Sequence, residues 1–486
     1  MEQIKVLSYA VRLPVLAKYL GQLVVVMSAL VAVQLLVSLY FADYFLSVRY
    51  AVIVVGLLAV GVPASRLHAP DKIQSNEALV ITGLAFIVSP LILAYPFTAL
   101  GIPYMDALFE AVSGVTTTGL STLPTVMDKP HTFLFSRAWM QWYGGLGIVV
   151  LSVALLTGHE AATRRLLDPE LSGESLAVAT PIHARRVLVV YTLLTAVGIL
   201  ALWWLSGDGF AAVTHALAAV STGGFSSFDN SVAGFAQWPA RFLVMALGLF
   251  GAISLPMYYR AYHQGWRQGL SDVELRGLLA VVAVIGLVLA WSMMQSRGAS
   301  WETLRHAVFL TLSAQTTTGF ASLSVAGLDA ASKVVMIISM AIGGCLGSTA
   351  GGIKILRLLL LLRLFQLTIQ RIAVPSHAVV QVQLGGRTLE DDDLLRALVL
   401  IALFGAVILL SWLPFVAAGY DPLNALFEVV SATATVGLST GITNMELPSA
   451  LKAVLCVDML AGRLEIVAML IVLYPGTWFG KRAGST

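Results

Sequence analysis

Four short runs of threonine and glycine have the residue types and spacing that point most directly to chemistry in this sequence. These Thr/Gly loops are Thr116-Thr117-Thr118-Gly119, Ser221-Thr222-Gly223-Gly224, Thr316-Thr317-Thr318-Gly319 and Ala434-Thr435-Val436-Gly437. Their final glycines are 105, 95 and 118 residues apart. A unit of roughly a hundred residues that occurs four times indicates a repeated fold, so the four loops are interpreted together.

Loops of this composition are suited to holding a cation that has lost its water shell. Such an ion needs oxygen ligands, and rings of backbone carbonyls supply them. Glycine adopts conformations closed to other residues, which lets successive carbonyls point the same way. The fourth loop matches the first three letters of the potassium-channel motif TVGYG, but no loop has the second glycine of that motif. We therefore expect a short filter with one well-defined layer of oxygens at the glycines.

A short amphipathic helix is predicted before each loop, at residues 103–115, 209–220, 301–315 and 421–433. These helices are too short to cross a bilayer and must be re-entrant. Their C-terminal ends precede the loops, where the helix dipole favours a cation. Glu110 and Glu428 each stand nine residues before the loop glycine. Two interpretations remain open: the carboxylates brace the loops through backbone N–H groups, or they lie at the outer interface of the membrane.

Three further acidic residues are predicted near the outer mouth of the loops. Asp106, Asp229 and Asp421 would concentrate cations there, although only weakly at physiological salt because of screening.

The elements that position these loops are predicted to be membrane spans. The 486 residues are 58% hydrophobic and 11% charged, with a mean hydropathy of +0.87, whereas soluble domains are about a quarter charged. The net charge of +3 and the two cysteines indicate neither nucleic-acid binding nor a disulfide framework. We expect an all-α polytopic fold with about ten spans, near residues 20–41, 48–63, 78–99, 133–157, 187–205, 238–258, 275–295, 333–369, 395–418 and 449–479.

The order of spans and loops divides the chain into an accessory hairpin and four pore repeats. The predicted boundaries are 1–64 for the hairpin and 65–158, 159–260, 261–370 and 371–486 for the repeats. With the N-terminus in the cytosol, 19 basic residues fall on the cytosolic side and 8 on the outer side. This bias follows the positive-inside rule and directs all four Thr/Gly loops outward.

The third repeat contains a segment, residues 343–354, that is predicted to break its second span. A nucleotide-binding loop is excluded there because Ile353 separates the last glycine from the lysine. We expect flexible backbone beneath the Thr/Gly loops, with helix packing through small residues as the alternative. The residues concerned are Gly343, Gly344, Gly347, Ser348, Thr349, Gly351, Gly352 and Lys354.

Arg463 lies in an apolar helix, where a charge is costly and usually functional. We expect its guanidinium to lie below the loops, to raise the barrier to cations and to hold the broken segment when the pore is closed. Asp458 and Glu465 are the predicted partners.

Taken together, these features resemble the Trk/Ktr/HKT superfamily of potassium transport proteins, and within it the TrkH type, over essentially the whole chain. Besides the four loops, the resemblance includes Gln141 to Ile148, Gly343 to Lys354 and Gly462 to Ile466. The accessory hairpin favours the TrkH type over the KtrB type. The resemblance implies potassium-selective permeation across the bacterial inner membrane, with both termini in the cytosol. It also implies that residues 343–354 form an intramembrane gating loop and that Arg463 is a barrier to cations.

Partners follow from the same resemblance. It implies a homodimer, surrounded by membrane lipid and docked on a cytosolic TrkA-type nucleotide-binding ring, with K⁺ as the permeant ion and no nucleotide site in this chain. All four loop positions that are associated with sodium permeability in related plant proteins are glycine here, which favours potassium.

The alternative functions are a coupled symporter and a membrane enzyme. A symporter that couples K⁺ to H⁺ or Na⁺ remains open. A polytopic membrane enzyme is disfavoured, because the sequence has no intramembrane His-x-x-x-His pair and no buried serine with a base.

Overall fold

The computed structural model describes residues 10–70, 73–159, 176–373, 383–384, 387–388 and 391–479. This part of the chain is built from helices and one small antiparallel strand pair, β1 (Gln383–Leu384) and β2 (Arg387–Thr388). The helices are α1 (Leu13–Tyr40), α2 (Tyr44–Ser65), α3 (Ser75–Phe97), α4 (Tyr104–Val115), α5 (His131–His159), α6 (Leu176–Ser206), α7 (Gly209–Val220), α8 (Trp238–Ala252), α9 (Leu255–Gln264), α10 (Trp266–Leu270), α11 (Val273–Arg297), α12 (Trp301–Gln315), α13 (Ala330–Ala341), α14 (Ile355–Ala373), α15 (Asp391–Ala417), α16 (Pro422–Thr433), α17 (Ser449–Arg463), α18 (Val467–Leu473) and α19 (Pro475–Phe479).

Six helices in the described ranges are long and apolar enough to cross a membrane, namely α1, α2, α3, α6, α11 and α15, and the bent pair α8–α9 would be a seventh. The sequence predicted about ten spans, and part of the difference lies in spans that are broken. The predicted span 333–369 consists of α13 and α14 with non-helical residues between them, and 449–479 is divided into α17, α18 and α19. Helix α6 begins at Leu176, before the predicted start at 187.

The bend between α8 and α9 has a local cause. The two helices meet at 85°, and Pro256 is the second residue of α9. A proline ring clashes with the carbonyl four residues earlier, which here belongs to Ala252, the last residue of α8. The span predicted for residues 238–258 is therefore bent after Ala252.

The four short helices α4, α7, α12 and α16 form a ring with the longer helices around them. Each packs between the helix before it and the helix after it in the chain. Each also contacts the second helix of the neighbouring repeat, in the pairs α5 with α7, α8 with α12, α13 with α16, and α17 with α4. The last pair joins the end of the chain to its first repeat, so the ring is closed.

Three of the four short helices begin with a side-chain cap. Asp208, Ser300 and Asp421 accept backbone N–H bonds at the starts of α7, α12 and α16. At the start of α13, Asp329 accepts bonds from the amide and hydroxyl of Ser332 and from the hydroxyl of Ser296. Burial opposes the charge on Asp329, but these hydrogen bonds outweigh it and lower its pKa to about 2.

The hairpin of α1 and α2 packs against α3, and α1 also contacts α5. The hydroxyls of Tyr50 and Ser136 are 2.8 Å apart, and the indole of Trp139 donates to the carbonyl of Leu30 at 2.9 Å. The hairpin predicted from the sequence is therefore attached to the first repeat. Several of the basic residues from which the membrane orientation of the whole chain was predicted, among them Lys5, Arg164 and Lys481, lie outside the described residues.

Candidate functional site

All four short helices end in the same hydrogen-bonded turn, and this turn begins each Thr/Gly loop. In the first loop, Thr117 N–H donates to Gly114 O at 3.0 Å and Thr118 N–H donates to Ser113 O at 2.9 Å. The equivalent pair of bonds is present at the ends of α7, α12 and α16. This is the Schellman arrangement, which requires a left-handed residue just after the helix.

Threonine fills that left-handed position in every loop. The φ angles of Thr117, Thr222, Thr317 and Thr435 lie between 52° and 54°. A β-branched residue rarely adopts a positive φ, so four occurrences at equivalent places indicate a strained conformation held by its surroundings. The loop glycines two residues later also have positive φ, from 77° to 94°. The backbone geometry is thus the same in all four loops, although their sequences differ.

The four loops meet in a closed ring of backbone carbonyls. A Cβ added to Gly119 would overlap the carbonyl oxygen of Gly223, and one added to Gly224 would overlap that of Thr318. One added to Gly319 would overlap Val436 O, and one added to Gly437 would overlap Thr118 O. Each glycine therefore faces the carbonyl that precedes the glycine of the next loop, and the fourth loop returns to the first.

A cavity of about 510 Å³ lies at one end of this ring. Its wall includes the glycine of all four loops, together with Arg137 and Asp229. Four loops that are far apart in sequence thus converge on one opening.

The two glutamates predicted to brace the loops are buried and bonded to them. Glu428 accepts hydrogen bonds from Ser439 Oγ at 2.7 Å, Thr440 N at 2.6 Å, Thr440 Oγ1 at 2.9 Å and Thr443 Oγ1 at 2.6 Å. Glu110 accepts a hydrogen bond from the hydroxyl of Ser121. Both glutamates have no exposed surface, so neither carboxylate lies at the interface, which was the alternative interpretation.

Glu110 differs from Glu428 in having a cationic partner. Arg137 Nε donates to Glu110 Oε2 at 2.8 Å, and both side chains are almost completely buried. Arg137 also donates to Ser226 O at 3.2 Å, and its guanidinium lies 3.8 Å from the ring centroid of Phe225. The first and second loops are therefore connected through this arginine.

His215 occupies the equivalent place in the second repeat, and sequence reasoning assigned it no role. It stands nine residues before Gly224, and its Nε2 lies 2.9 Å from Ser226 Oγ, two residues after that glycine. Its Nδ1 lies 2.8 Å from the carbonyl of Ala211. Since a carbonyl oxygen only accepts, Nδ1 carries a proton, and in the neutral imidazole Nε2 then accepts from the serine hydroxyl. The spacing that relates Glu110 to Ser121 would have identified this residue.

The third repeat lacks this side-chain pair. Leu310 and Ala321 stand at the two positions, and neither side chain forms hydrogen bonds. A different contact joins helix and loop there, between His306 Nδ1 and Ser322 Oγ at 2.9 Å. The four loops therefore share one backbone conformation, but they differ in the side chains that connect them to their short helices.

Glycines of the second helices lie against the ends of the short helices. A Cβ on Gly144, Gly251 or Gly462 would overlap a carbonyl oxygen, that of Val115, Val220 or Thr433 respectively. Each of these carbonyls lies four residues before a loop glycine. This close approach explains why the motifs around Gly144 and Gly462 require glycine.

Residues 343–354 form a largely buried, hydrogen-bonded loop at the other end of the ring. Gly343 N–H donates to Ile353 O at 2.8 Å, and Ile353 N–H donates to Ala341 O at 2.9 Å. Residues 343 to 351 are all buried. This segment is called the intramembrane loop below.

Several neighbours hold the intramembrane loop in place. Two of its N–H groups donate to the end of α8: Cys345 to Ala252 O at 2.9 Å and Thr349 to Gly251 O at 3.1 Å. Glu274, in the first turn of α11, accepts from Leu346 N at 2.7 Å. The remaining predicted residues close local turns: Ser348 Oγ donates to Cys345 O, Lys354 Nζ donates to Ala350 O, and Gly347 and Gly352 have positive φ.

Arg463 lies against this loop, but its predicted partners are wrong. Its Nη1 donates to Thr349 O at 2.7 Å and its Nη2 donates to Gly144 O at 3.1 Å. Asp458 instead accepts from Ser411 at 2.5 Å, and Glu465 forms an ion pair with Arg357. The guanidinium is thus bound by two backbone carbonyls, one of which belongs to the intramembrane loop.

The three acidic residues predicted at the outer mouth have structural contacts. Asp106 is buried and pairs with Lys452 at 2.6 Å. Asp421 caps α16, and Asp229 accepts from Val126 N at 2.6 Å. Of the three, Asp229 borders the cavity. The buried ion pair of Asp106 contradicts its predicted role of concentrating cations at the mouth.

Comparison with known proteins gives consistent similarities. The family model TrkH, described as cation transport protein, matches residues 45–475. The Trk system potassium uptake protein TrkH of Escherichia coli is 30% identical over 491 residues, covering 95% of this chain and 99% of that protein. The protein of the same name from Halomonas elongata is 30% identical, with coverages of 96% and 99%. The crystal structure of the potassium transporter TrkH from Vibrio parahaemolyticus is similar with a TM-score of 0.85 at 27% identity, covering 96% of this chain and 100% of that one.

Proposed function

Because this chain belongs to the TrkH family of cation transport proteins, we propose that it is the potassium-selective pore of a Trk-type uptake system in the bacterial cytoplasmic membrane. The observation that carries the proposal is the closed ring of carbonyls, in which each loop glycine faces a carbonyl of the next loop. The potassium uptake proteins to which the chain is similar along nearly its whole length support the choice of ion.

The ring acts as a filter by replacing water with protein oxygens. Four carbonyls at one level substitute for part of the hydration shell of K⁺, and the rigid contact between neighbouring loops fixes the width of the ring. The short helices end at the loops, so their partially negative C-termini are directed at the permeating cation. Cation stabilisation therefore comes mainly from backbone groups.

Side chains behind the loops hold that geometry. Glu110 and Glu428 are the proposed braces of the first and fourth loops, and His215 is the proposed brace of the second. Each accepts a hydrogen bond from the hydroxyl of a serine that lies two residues after the loop glycine. Since a non-glycine residue at positive φ is unfavourable by about 1–3 kcal/mol, the loops need such contacts to stay in shape.

The intramembrane loop is the proposed gate, and Arg463 is its proposed latch. The guanidinium donates to the loop at Thr349 O and to the first repeat at Gly144 O. It therefore joins the loop to the opposite wall and also opposes the passage of cations. Opening requires the loop to leave these contacts.

Control of the gate is proposed to come from other chains. By analogy with the family, the protein is a homodimer docked on a cytosolic TrkA-type nucleotide-binding ring, with both termini in the cytosol. The contact between Glu274 and Leu346 N–H connects the cytosolic end of α11 to the gate, and it gives such a partner a point at which to act.

Cation flux into liposomes that contain the purified chain tests the proposal. Potassium and rubidium should enter well above sodium, and they should do so without a proton gradient or sodium, conditions under which an obligatory symporter would be inactive. Gly319→Ala should abolish this flux, because its Cβ would overlap Val436 O.

Gly101→Ala is the matched control. Gly101 has a φ of 73°, close to the 77° of Gly319, but a Cβ there meets nothing within 4 Å. Both variants carry the cost of a left-handed alanine, about 1–2 kcal/mol, and only one intrudes on the ring. Normal selective flux in Gly319→Ala, or equal sodium and potassium entry in the unmodified protein, would contradict the proposed filter.

A further inference from the structure

We propose that the end of the α1–α2 hairpin that is predicted to be cytosolic binds the phosphate group of an anionic phospholipid. The site is a cavity of about 610 Å³, and its described lining includes no residue of the Thr/Gly loops. The inference uses the membrane orientation predicted from the basic residues, but it does not depend on the proposed potassium pore. The two proposals can therefore fail separately.

The cavity forms where the chain leaves α2 and folds back over α1. Lys18 Nζ donates to Ala69 O at 3.3 Å, and this bond ties the segment after α2 to the second turn of α1. A Cβ on Gly21 would lie 2.6 Å from the backbone nitrogen of Ser65, so the two helices are in close contact at this end. The described residues that line the cavity are Lys18 and residues 65–70. Helix packing and a hydrogen bond therefore hold its walls in place.

The described lining of the cavity is basic. Lys18 and Arg66 carry positive charges, His68 provides a ring N–H in either tautomer, and none of the described lining residues is acidic. The guanidinium of Arg66 forms no ion pair or hydrogen bond with the described residues. Guanidinium and ammonium groups both bind phosphate oxygens through charge-assisted hydrogen bonds. The cavity thus offers donors for one phosphate group.

The position of the cavity favours a lipid over a free phosphate as the source of that group. Helices α1 and α2 are long and apolar enough to span a membrane, and the cavity lies at one end of both, where lipid headgroups are located. Exposed apolar side chains, among them Leu23 and Val60, stand in the adjoining turns and are available to acyl chains. Basic pockets between the cytosolic ends of membrane helices suit anionic headgroups. A free phosphate would be held by charge alone, which salt screens.

Native mass spectrometry of the full chain in detergent tests the inference, with phosphatidylglycerol and phosphatidylcholine of the same acyl chains as probes. The unmodified protein should bind phosphatidylglycerol more tightly. Arg66→Gln should weaken that binding about fivefold, the factor that corresponds to about 1 kcal/mol for one basic residue at an anionic surface. Lys18→Gln should weaken it at least as much, because the contact with Ala69 O is lost as well. Arg66→Lys keeps the charge and should retain most of the affinity.

Arg267→Gln is the matched control. Arg267 is an exposed arginine of α10 on the same predicted side of the membrane, and it does not line the cavity. Binding of phosphatidylglycerol that is as tight in Arg66→Gln as in Arg267→Gln, or equal binding of both lipids by the unmodified protein, would overturn the site. Glycerol phosphate distinguishes the two sources of phosphate: it should bind much more weakly than the lipid, and equal affinity would overturn the assignment to a lipid. Potassium flux, which tests the proposed function, is a separate measurement.

Discussion

Neutralising Glu110 should damage the protein much more than neutralising Glu428, although the two residues occupy equivalent positions. Glutamine has nearly the same shape as glutamate, so the comparison isolates the charge. At Glu110 the change leaves Arg137 without its carboxylate, and the side chain of that arginine is only 4% exposed. At Glu428 the partners are three hydroxyls and one backbone N–H, none of which carries a charge.

The expected loss of stability in each variant follows from these partners. Removing one member of a buried ion pair costs about 3–5 kcal/mol, because the remaining charge is stranded. At Glu428 each bond weakens from charge-assisted to neutral, by about 1 kcal/mol. The hydroxyls can rotate to accept from the glutamine amide, and a neutral amide is easier to bury, so we expect a net cost of about 1–2 kcal/mol.

Thermal unfolding of the purified chain in detergent, combined with the ratio of potassium to sodium flux, measures the difference. Glu110→Gln should lower the unfolding temperature by the larger amount and reduce selectivity. Adding Arg137→Gln to it should recover part of the loss by removing the stranded charge. Equal shifts for the two single variants, or a double variant worse than Glu110→Gln, would refute the reasoning.

Three further predictions concern single contacts. Gly462→Ala should destabilise the protein by about 1–3 kcal/mol through overlap with a carbonyl, whereas Gly405→Ala, a helical position with open space around it, should be neutral or stabilising in the same thermal assay. The stability that Asp329 provides should be constant above pH 5 and decline as the pH falls through 3.8 towards its folded pKa of about 2, so the difference from Asp329→Asn should shrink in acid; a constant difference down to pH 2.5 would contradict this. His215→Phe and Ser226→Ala should each reduce potassium selectivity, and the double variant should be no worse than the more affected single one; additive losses would mean that the two side chains act separately.

Repetition made the core of this protein predictable from its sequence. The short helices begin and end within a residue of the predicted bounds, because turn and helix signals repeat in all four units. The all-helical membrane fold and the family resemblance are confirmed by the comparisons. The assignment of the loops as a selectivity filter stays a prediction, which the measurement of cation flux into liposomes would test.

Two kinds of contact were not predictable: those between residues far apart in sequence, and those made to backbone carbonyls. Asp106 pairs with Lys452, 346 residues away, and no local pattern indicates such a pair. Arg463 was expected to bind carboxylates, yet it binds backbone carbonyls, which every residue carries and which the sequence therefore does not mark. The position of His215 could have been predicted from spacing alone, because it stands nine residues before Gly224 as Glu110 stands nine residues before Gly119.

The differences among the four loops in their side-chain contacts have a consequence for how such a pore can evolve. In an assembly of four identical chains, one substitution alters every quadrant simultaneously, and a cost of 1 kcal/mol becomes about four. Here one polypeptide supplies all quadrants, so each can vary separately while the other three keep the ring intact. The third loop lacks the equivalent of the contacts made by Glu110, His215 and Glu428, and has the contact between His306 and Ser322 instead. It is also hydrogen-bonded to the intramembrane loop at Gly351. It is therefore the quadrant in which inherited variation should most readily change permeation.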